Sequence, residues 1–513
     1  MAMISLWTQI DGLIGSNGIA PAESFLERIH EQLGATAYRS YPTIFWFGAG
    51  HTMLHAMCAA GTLLSLLLIL GVAPGFTLAL FWATYLSLVV VGQSFLSFQW
   101  DILLLETTFM ALFWASWQPW PRLRQTTWVP AAGRWLLWCL LFKLMFLSGV
   151  TKLLSGDRTW HEWTALEVHY ETQPLPNFIS WYTHQLPPGL QSWCLAAMFV
   201  IEIVVPLAIF APRRIRHLGC GLLVLLQLLI AITGNYGFFN LLTVVLCLTL
   251  LDDQSLRYLS PKRWTAWLEP SAPKKPRSRF PSIAVSLPTV LLLYISTLTF
   301  FNEMVSTMKN QQRAVVAGAD VMPLPKGVVS FLQGCNRYIE AHGRVRNEAG
   351  QSTDESIMFH YLRPFRTISG YGLFRNMTMT RPEFVIEGSH DRSIWREYEF
   401  RWKPGDLKSR PRFVAPHQPR LDWQMWFAAL SFRQQAHWVI PFLEKLLEGS
   451  PPVLRLIDHN PFLDQPPDYI RLVYYQYRFS DWEHRAATGQ WWQRSLVGRS
   501  QAFRLGDNGI APQ

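Results

Sequence analysis

Up to Phe301 the chain consists of long apolar runs separated by short polar breaks, whereas beyond it apolar and polar residues alternate or recur at helical spacing. A helix rises about 1.5 Å per residue, so about 30 Å of hydrocarbon is crossed by roughly 20 apolar residues. The runs Phe45–Leu70, Phe76–Phe98, Ile102–Trp117, Trp135–Leu154, Trp193–Phe210, Leu218–Ile232, Phe238–Leu251 and Ser282–Phe301 therefore predict a polytopic α-helical membrane bundle of about eight crossings. Residues 1–43 precede it as a juxtamembrane segment in which PAESFLERIHEQLG reads as an amphipathic surface helix. The membrane domain spans 44–302 and includes a basic, proline-containing connector at 252–281.

Residues 303–513 follow as a β-rich, sandwich-like extracytoplasmic domain with appended helices. EFVIEGSHDRSIWREYEFRW alternates around a turn at GSHDRS, the period of a half-buried strand pair. YIRLVYYQYRFSD is a further strand, rich in tyrosine and β-branched residues. RLDWQMWFAALSF and WVIPFLEKLLEG read as helices, the second stopped by Gly449 and two prolines.

Charge sets the orientation. Only 16% of residues are charged, against about a quarter in soluble proteins, which fits a membrane protein. The net charge of +10 is concentrated in loops at 121–134, 212–217 and 257–279, which fall on one side of the predicted bundle. Basic loops are retained in the cytoplasm, so the first 43 residues and everything after Phe301 are expected on the outer side. These loops meet anionic lipid headgroups; no basic face with interleaved aromatics indicates nucleic acid. Residues 1–43 lack the start of a signal peptide, and MAMISLWTQIDGLIG reads as the trailing end of a helix, so either a truncated start or an amino end that translocates by itself is expected. The six cysteines form no CxxC, and the five in apolar segments are read as small hydrophobes. Trp100, Trp117, Trp120, Trp135 and Trp160 are read as interfacial anchors.

Four strings, SFLSFQWDILLLE, TGNYGFFNLLTVVLCLTLLDD, YGLFRNMTMTRPEFVIEGS and KPGDLKSRPRFVAPHQPRLDWQMWFAAL, strongly resemble the lipase maturation factor family, over about Leu6 to Gly498. The resemblance implies an integral membrane maturation or folding factor whose outer domain assists secreted or membrane-associated client proteins; in animals these are dimeric lipases such as lipoprotein lipase. The family also occurs in bacteria, and this compact chain resembles those members. That implies the bacterial inner membrane with the C-terminal domain in the periplasm, the alternative being the endoplasmic reticulum membrane with that domain in the lumen. Membrane lipids and a client protein are the expected partners. Separately, SGVTKLLSGDRTW is similar to the multi-helix domain of vitamin K-dependent gamma-carboxylases, with Lys152 at the place of the base and Thr151 where that family has lysine. This second resemblance implies a membrane enzyme acting on a lipid-soluble cofactor or a lipid.

The candidate residues follow from burial cost and from these resemblances. Charges within crossings cost roughly 2.5–3.5 kcal/mol and face a protein interior or a wet cavity. By position these charges are Asp101, Glu106, Lys143, Lys152 and Glu202. The intramembrane polar cluster comprises Gln99, Asp101, Glu106, Lys152, Asn235 and Asn240. Asp101 is expected in water at a helix start, with Glu106 pointing inward to pair with Lys152. A ligand-binding cavity, or catalysis by Lys152 with Glu106, is the alternative. Asn235 and Asn240 are expected to close helix-end hydrogen bonds, the alternative being that GNYGFFN lines the same mouth as Asp101. The loop 155–190 carries His161, Glu162, His169 and His184 in no HExxH spacing; it is read as an outer lid, and no metal or cofactor is assigned. In the outer domain Arg420, Asp422, Trp423 and Trp426 are candidates for client binding, with a domain-core anchor as the alternative, and Trp395, Trp402, Trp423 and Trp426 read as core. The absence of a GxSxG elbow argues against a lipase, and NMT at Asn376 is a glycosylation sequon if the compartment glycosylates.

Overall fold

The computed structural model describes residues 1–120, 131–255, 280–341, 362–506 and 509–512. The basic segment 257–279 and most of the 121–134 loop lie outside these residues. Each predicted crossing coincides with a helix: α1 His51–Ile69, α2 Pro74–Val91, α3 Gln99–Ala111, α4 Ala131–Leu154, α5 Pro188–Phe199, α6 Arg213–Thr233, α7 Phe239–Leu248 and α8 Phe280–Val316. Six are long and apolar enough to cross a membrane, α5 by continuing through a π-helical turn and a 3₁₀ turn to Phe210. The other two fall short of the expectation. At about 1.5 Å per residue, 13-residue α3 and 10-residue α7 cover about 20 and 15 Å. Turns consume their flanks, one of them at Gly237, whose φ of +56° a side chain rarely adopts. Both pack on α4. The 37-residue α8 runs unbroken past Phe301 and beyond the predicted crossing.

The C-terminal domain, called the outer domain below because it packs beyond one end of the bundle, contains an antiparallel sheet of β1 Arg381–Ser389, β2 Arg396–Tyr398, β3 Tyr469–Phe479, β4 Trp492–Arg499, β5 Phe503–Gly506 and β6 Gly509–Pro512. Its order is β2-β1-β3-β5-β6, with β4 also on β3. The sandwich-like arrangement is a helical layer on this sheet: α9 Arg420–Leu430 packs on β1, and α10 Phe432–Leu447 on β3, β5 and β6. β1 alternates in polarity as its sequence predicts, yet all nine of its residues are buried rather than half of them. The reason is the polar face. Glu383 pairs with Lys403 at 2.9 Å, Glu387 with Arg471 at 2.6 Å, and Arg381 reaches the segment 171–174 of the loop after α4.

One apolar core runs without interruption from the bundle through Phe95, Phe98 and Trp100 into Trp423, Trp438 and Phe442 of the outer domain. The N-terminal segment joins it at the same end. Ser5 meets His417 at 2.9 Å, and Gln9 donates to the Gln418 carbonyl and accepts from the Arg420 amide. The loops following α2, α4 and α6 also contact the outer domain. All of them lie at one end of the bundle, as the predicted topology requires.

Candidate functional site

The four strings that carry the family resemblance come together where the outer domain meets the bundle. Asp101, in the first turn of α3, is fully buried rather than in water. Arg420, at the start of α9, donates to both of its carboxylate oxygens at 2.8 Å, and Tyr85 donates to Oδ1 at 2.5 Å. A third Arg420 bond reaches the Phe95 carbonyl at 2.6 Å. Planar guanidinium and planar carboxylate match in this two-bond geometry, which fixes orientation as well as charge.

Deeper in the bundle Glu106 pairs with Lys143 at 2.6 Å, not with Lys152. Lys152 pairs with Glu202 at 2.7 Å, on the π-helical turn. Nine residues separate the two lysines, about two and a half turns, so they occupy opposite faces of α4. Depth agrees: Glu106 is seven residues in from Gln99, Lys143 eleven short of Leu154 and Lys152 only two. The remaining Glu106 oxygen accepts from the Tyr371 hydroxyl at 2.7 Å and the Ser369 amide at 3.0 Å. Segment 369–377 of the outer domain thus plugs the bundle mouth. Arg375 pairs there with Glu303 of α8, and the Met377 amide donates to Asp157 at 2.7 Å.

Asn235 and Asn240 do not close helix ends. Asn240 donates to Gln227 at 2.9 Å inside the bundle, whereas Asn235 donates to the Arg412 carbonyl at 2.8 Å and accepts from Val414 and Ala415 amides. Gly237 sits against Gln418, whose Oε1 leaves no room for a Cβ. Gln99 stands apart from these pairs, and its buried Oε1 has no partner.

The lid is a strut between bundle and sheet. His161 meets the Leu153 carbonyl, Glu162 is exposed beside Arg158, His169 meets the Tyr236 hydroxyl at 3.1 Å and His184 lies 3.8 Å from Glu171. The four do not converge. Burial, reinforced by the Lys152 charge, holds His169 down to about 4 and therefore neutral. Arg381 grips the lid from β1, donating to carbonyls of Glu171, Gln173 and Pro174. In sequence Arg381 is one more polar residue of an alternating strand, and nothing there marks it out. Lys143 and Glu202 are visible as charges inside apolar runs, but only packing assigns their partners.

Arg420, Asp422, Trp423 and Trp426 do not form an open groove for a client. None exposes more than 8% of its surface. Asp422 accepts from the Trp402 and Lys403 amides at 2.9 and 3.0 Å, and burial pushes its carboxyl up to about 6. Trp426 donates to the Thr172 carbonyl at 2.9 Å. Trp100 and Trp160 are likewise buried, whereas Trp117, Trp120 and Trp135 are exposed as membrane anchors would be.

Among the described residues one group has metal-ligand spacing: Asp11 with His51 and His55, one turn apart on α1. His55 Nδ1 accepts from the Trp7 indole at 2.7 Å, so its proton sits on Nε2, 2.8 Å from Asp11. A metal on Nε2 would move that proton to Nδ1, against the indole N–H. The arrangement fits a histidine–carboxylate hydrogen bond. Lys152 and Glu202 are buried and bonded to each other.

The lipase maturation factor transmembrane domain matches residues 1–258, and the lipase maturation factor C-terminal domain matches 367–502. Lipase maturation factor 2 of Xenopus laevis is 36% identical over 97% of this chain and 79% of its own length. The human lipase maturation factor 2 gives the same values. Lipase maturation factor 1 of the mouse is 31% identical over 97% of this chain and 83% of its own. No solved structure matches. By two domain matches and relatives aligned along nearly its whole length, this chain is a membrane protein of the lipase maturation factor family.

Proposed function

We propose that this protein is an integral membrane maturation factor that holds a rigid outer domain at the membrane surface, where it assists folding and assembly of a secreted or membrane-associated client, a lipase by analogy with its relatives' names. The observation that carries this reading is the interface itself. Every stretch by which the chain resembles its family contributes buried polar bonds to the junction of bundle and outer domain, among them Asp101–Arg420, Glu106–Tyr371 and Asn235–Val414. Such a junction presents a surface at a fixed height above the bilayer and needs no catalytic group. With the basic loops cytoplasmic, the outer domain faces the periplasm or the endoplasmic reticulum lumen.

Co-expression with a secreted dimeric lipase, in cells lacking their own maturation factor, tests this. Active secreted lipase should rise several-fold with the wild-type chain and return to background with Arg420→Met. Equal lipase activity with and without the chain would remove the proposal.

A further inference from the structure

One face of α6 carries Leu225, Leu228, Leu229 and Ile232, each 44–52% exposed and spaced so that they form a column along the helix. The outer end of that helix is capped by two other parts of the chain. Asn177 of the lid donates to the Ile232 carbonyl at 3.1 Å. Asn235, two residues past the helix, donates to the Arg412 carbonyl and accepts from the Val414 and Ala415 amides. Phe178 and Phe413 are thereby set edge to face, ring centres 5.2 Å apart, where α6 leaves the hydrocarbon. With Ser409, Arg410, Pro411 and Arg412 they line an open recess of about 530 Å³.

Two cations stand in this recess. The Arg410 guanidinium lies 3.8 Å over the Phe178 ring and 5.9 Å from that of Trp491. Stacking engages the face of the guanidinium and leaves the N–H groups at its edge unused. Arg410 and Arg412 are both exposed, and among the described residues neither side chain has a hydrogen-bond or carboxylate partner. Asp406 of the same loop is bonded to Ser409 instead, at 3.1 Å. Arg375, Arg381 and Arg420, by contrast, are each paired with a carboxylate.

Guanidinium edges match phosphate oxygens through parallel N–H bonds. Unpaired cations directly above an apolar column repeat the layout of a phospholipid, headgroup over acyl chain. A soluble anion has no use for the column, and a peptide would lay unpaired N–H and C=O groups against it. We infer that the recess seats the phosphate of an anionic phospholipid of the outer leaflet, on the topology proposed above, with Arg410 and Arg412 donating to its oxygens while an acyl chain runs down the exposed face of α6.

The purified full chain in phosphatidylcholine nanodiscs is titrated with a phosphatidylglycerol probe carrying a diazirine in its acyl chain and, separately, with the phosphatidylcholine counterpart. Saturable labelling by the first is expected, about tenfold tighter than by the second. Labelled peptides should fall within residues 225–233 or 409–413, a result that depends on no variant. Arg410→Gln with Arg412→Gln should weaken the phosphatidylglycerol probe roughly thirtyfold, as expected for two cations at a membrane surface, and should leave the thermal midpoint unchanged because both side chains are exposed. Arg214→Gln, at the opposite end of α6, should label as wild type does. Equal labelling by the two probes, labelling confined to other segments, a folded double variant that binds like wild type, or an equal loss with Arg214→Gln overturns the proposal. Displacement of the probe by inorganic phosphate or by an acidic peptide overturns it as well, the first showing a free-anion site and the second a protein-binding one.

Discussion

Arg420 of the outer domain and Asp101 of the bundle form a two-bond ion pair at 2.8 Å with no surface exposed on either side chain. The pair lies 319 residues apart in sequence and locks two domains together. Removing one member leaves the other charged and desolvated, which costs about 3–5 kcal/mol. Asp101→Asn or Arg420→Met is therefore expected to lower the thermal midpoint sharply, and Asp101→Leu with Arg420→Met to recover part of it. Fluorescence-detected unfolding in detergent measures all three.

The same logic applies to Glu106, with a graded outcome. Tyr371→Phe removes one bond of the plug and should cost about 1 kcal/mol. Glu106→Gln leaves Lys143 buried without its partner and should cost about 3–5 kcal/mol. If Tyr371→Phe proved the more damaging, the plug rather than the ion pair would dominate.

Lys152 and Glu202 separate the scaffold from the enzyme reading. A structural pair tolerates joint replacement by apolar residues of similar volume. Lys152→Met with Glu202→Met should retain folding and lipase maturation, whereas Lys152→Met alone should reduce both. A well-folded double variant without activity would point to chemistry at Lys152.

Asp422 sets a pH dependence. Its carboxyl is raised by burial to about 6, against an ordinary value of about 3.9. The folded state therefore holds the proton more tightly, and the resulting stability is full below the unfolded value and lost as pH rises through 6. The loss is about 3 kcal/mol, because each tenfold difference in proton affinity between folded and unfolded chain corresponds to about 1.4 kcal/mol. Asp422→Asn keeps an acceptor for the Trp402 and Lys403 amides and should flatten stability between pH 4 and about 7. Thermal midpoints across that range, compared between wild type and variant, give the answer.

Arg381 holds the lid through three carbonyls. Charged hydrogen bonds contribute about 1.5–3 kcal/mol each. Arg381→Ala should expose the lid, and limited proteolysis should cut within 155–187 at least tenfold faster than in wild type, with the helices α1 to α8 still protected.

Periodicity and apolar length located the eight membrane-domain helices, the strands at 383–402 and 469–481 and the helices after Arg420, because these are local properties of a chain that must satisfy its own backbone. Charge asymmetry of the loops placed the N-terminal segment and the outer domain at one end, where the structure has them packed together. Partnership was beyond that reach. Glu106 chose Lys143 over Lys152 because nine residues turn a helix face through half a circle, and Asp101 left the water because an arginine 319 residues later covers it. The burial of Arg420 and Asp422, and of the polar face of β1, arises in the same way. A sequence shows which groups are costly to bury, while only tertiary packing decides which distant group offsets each one.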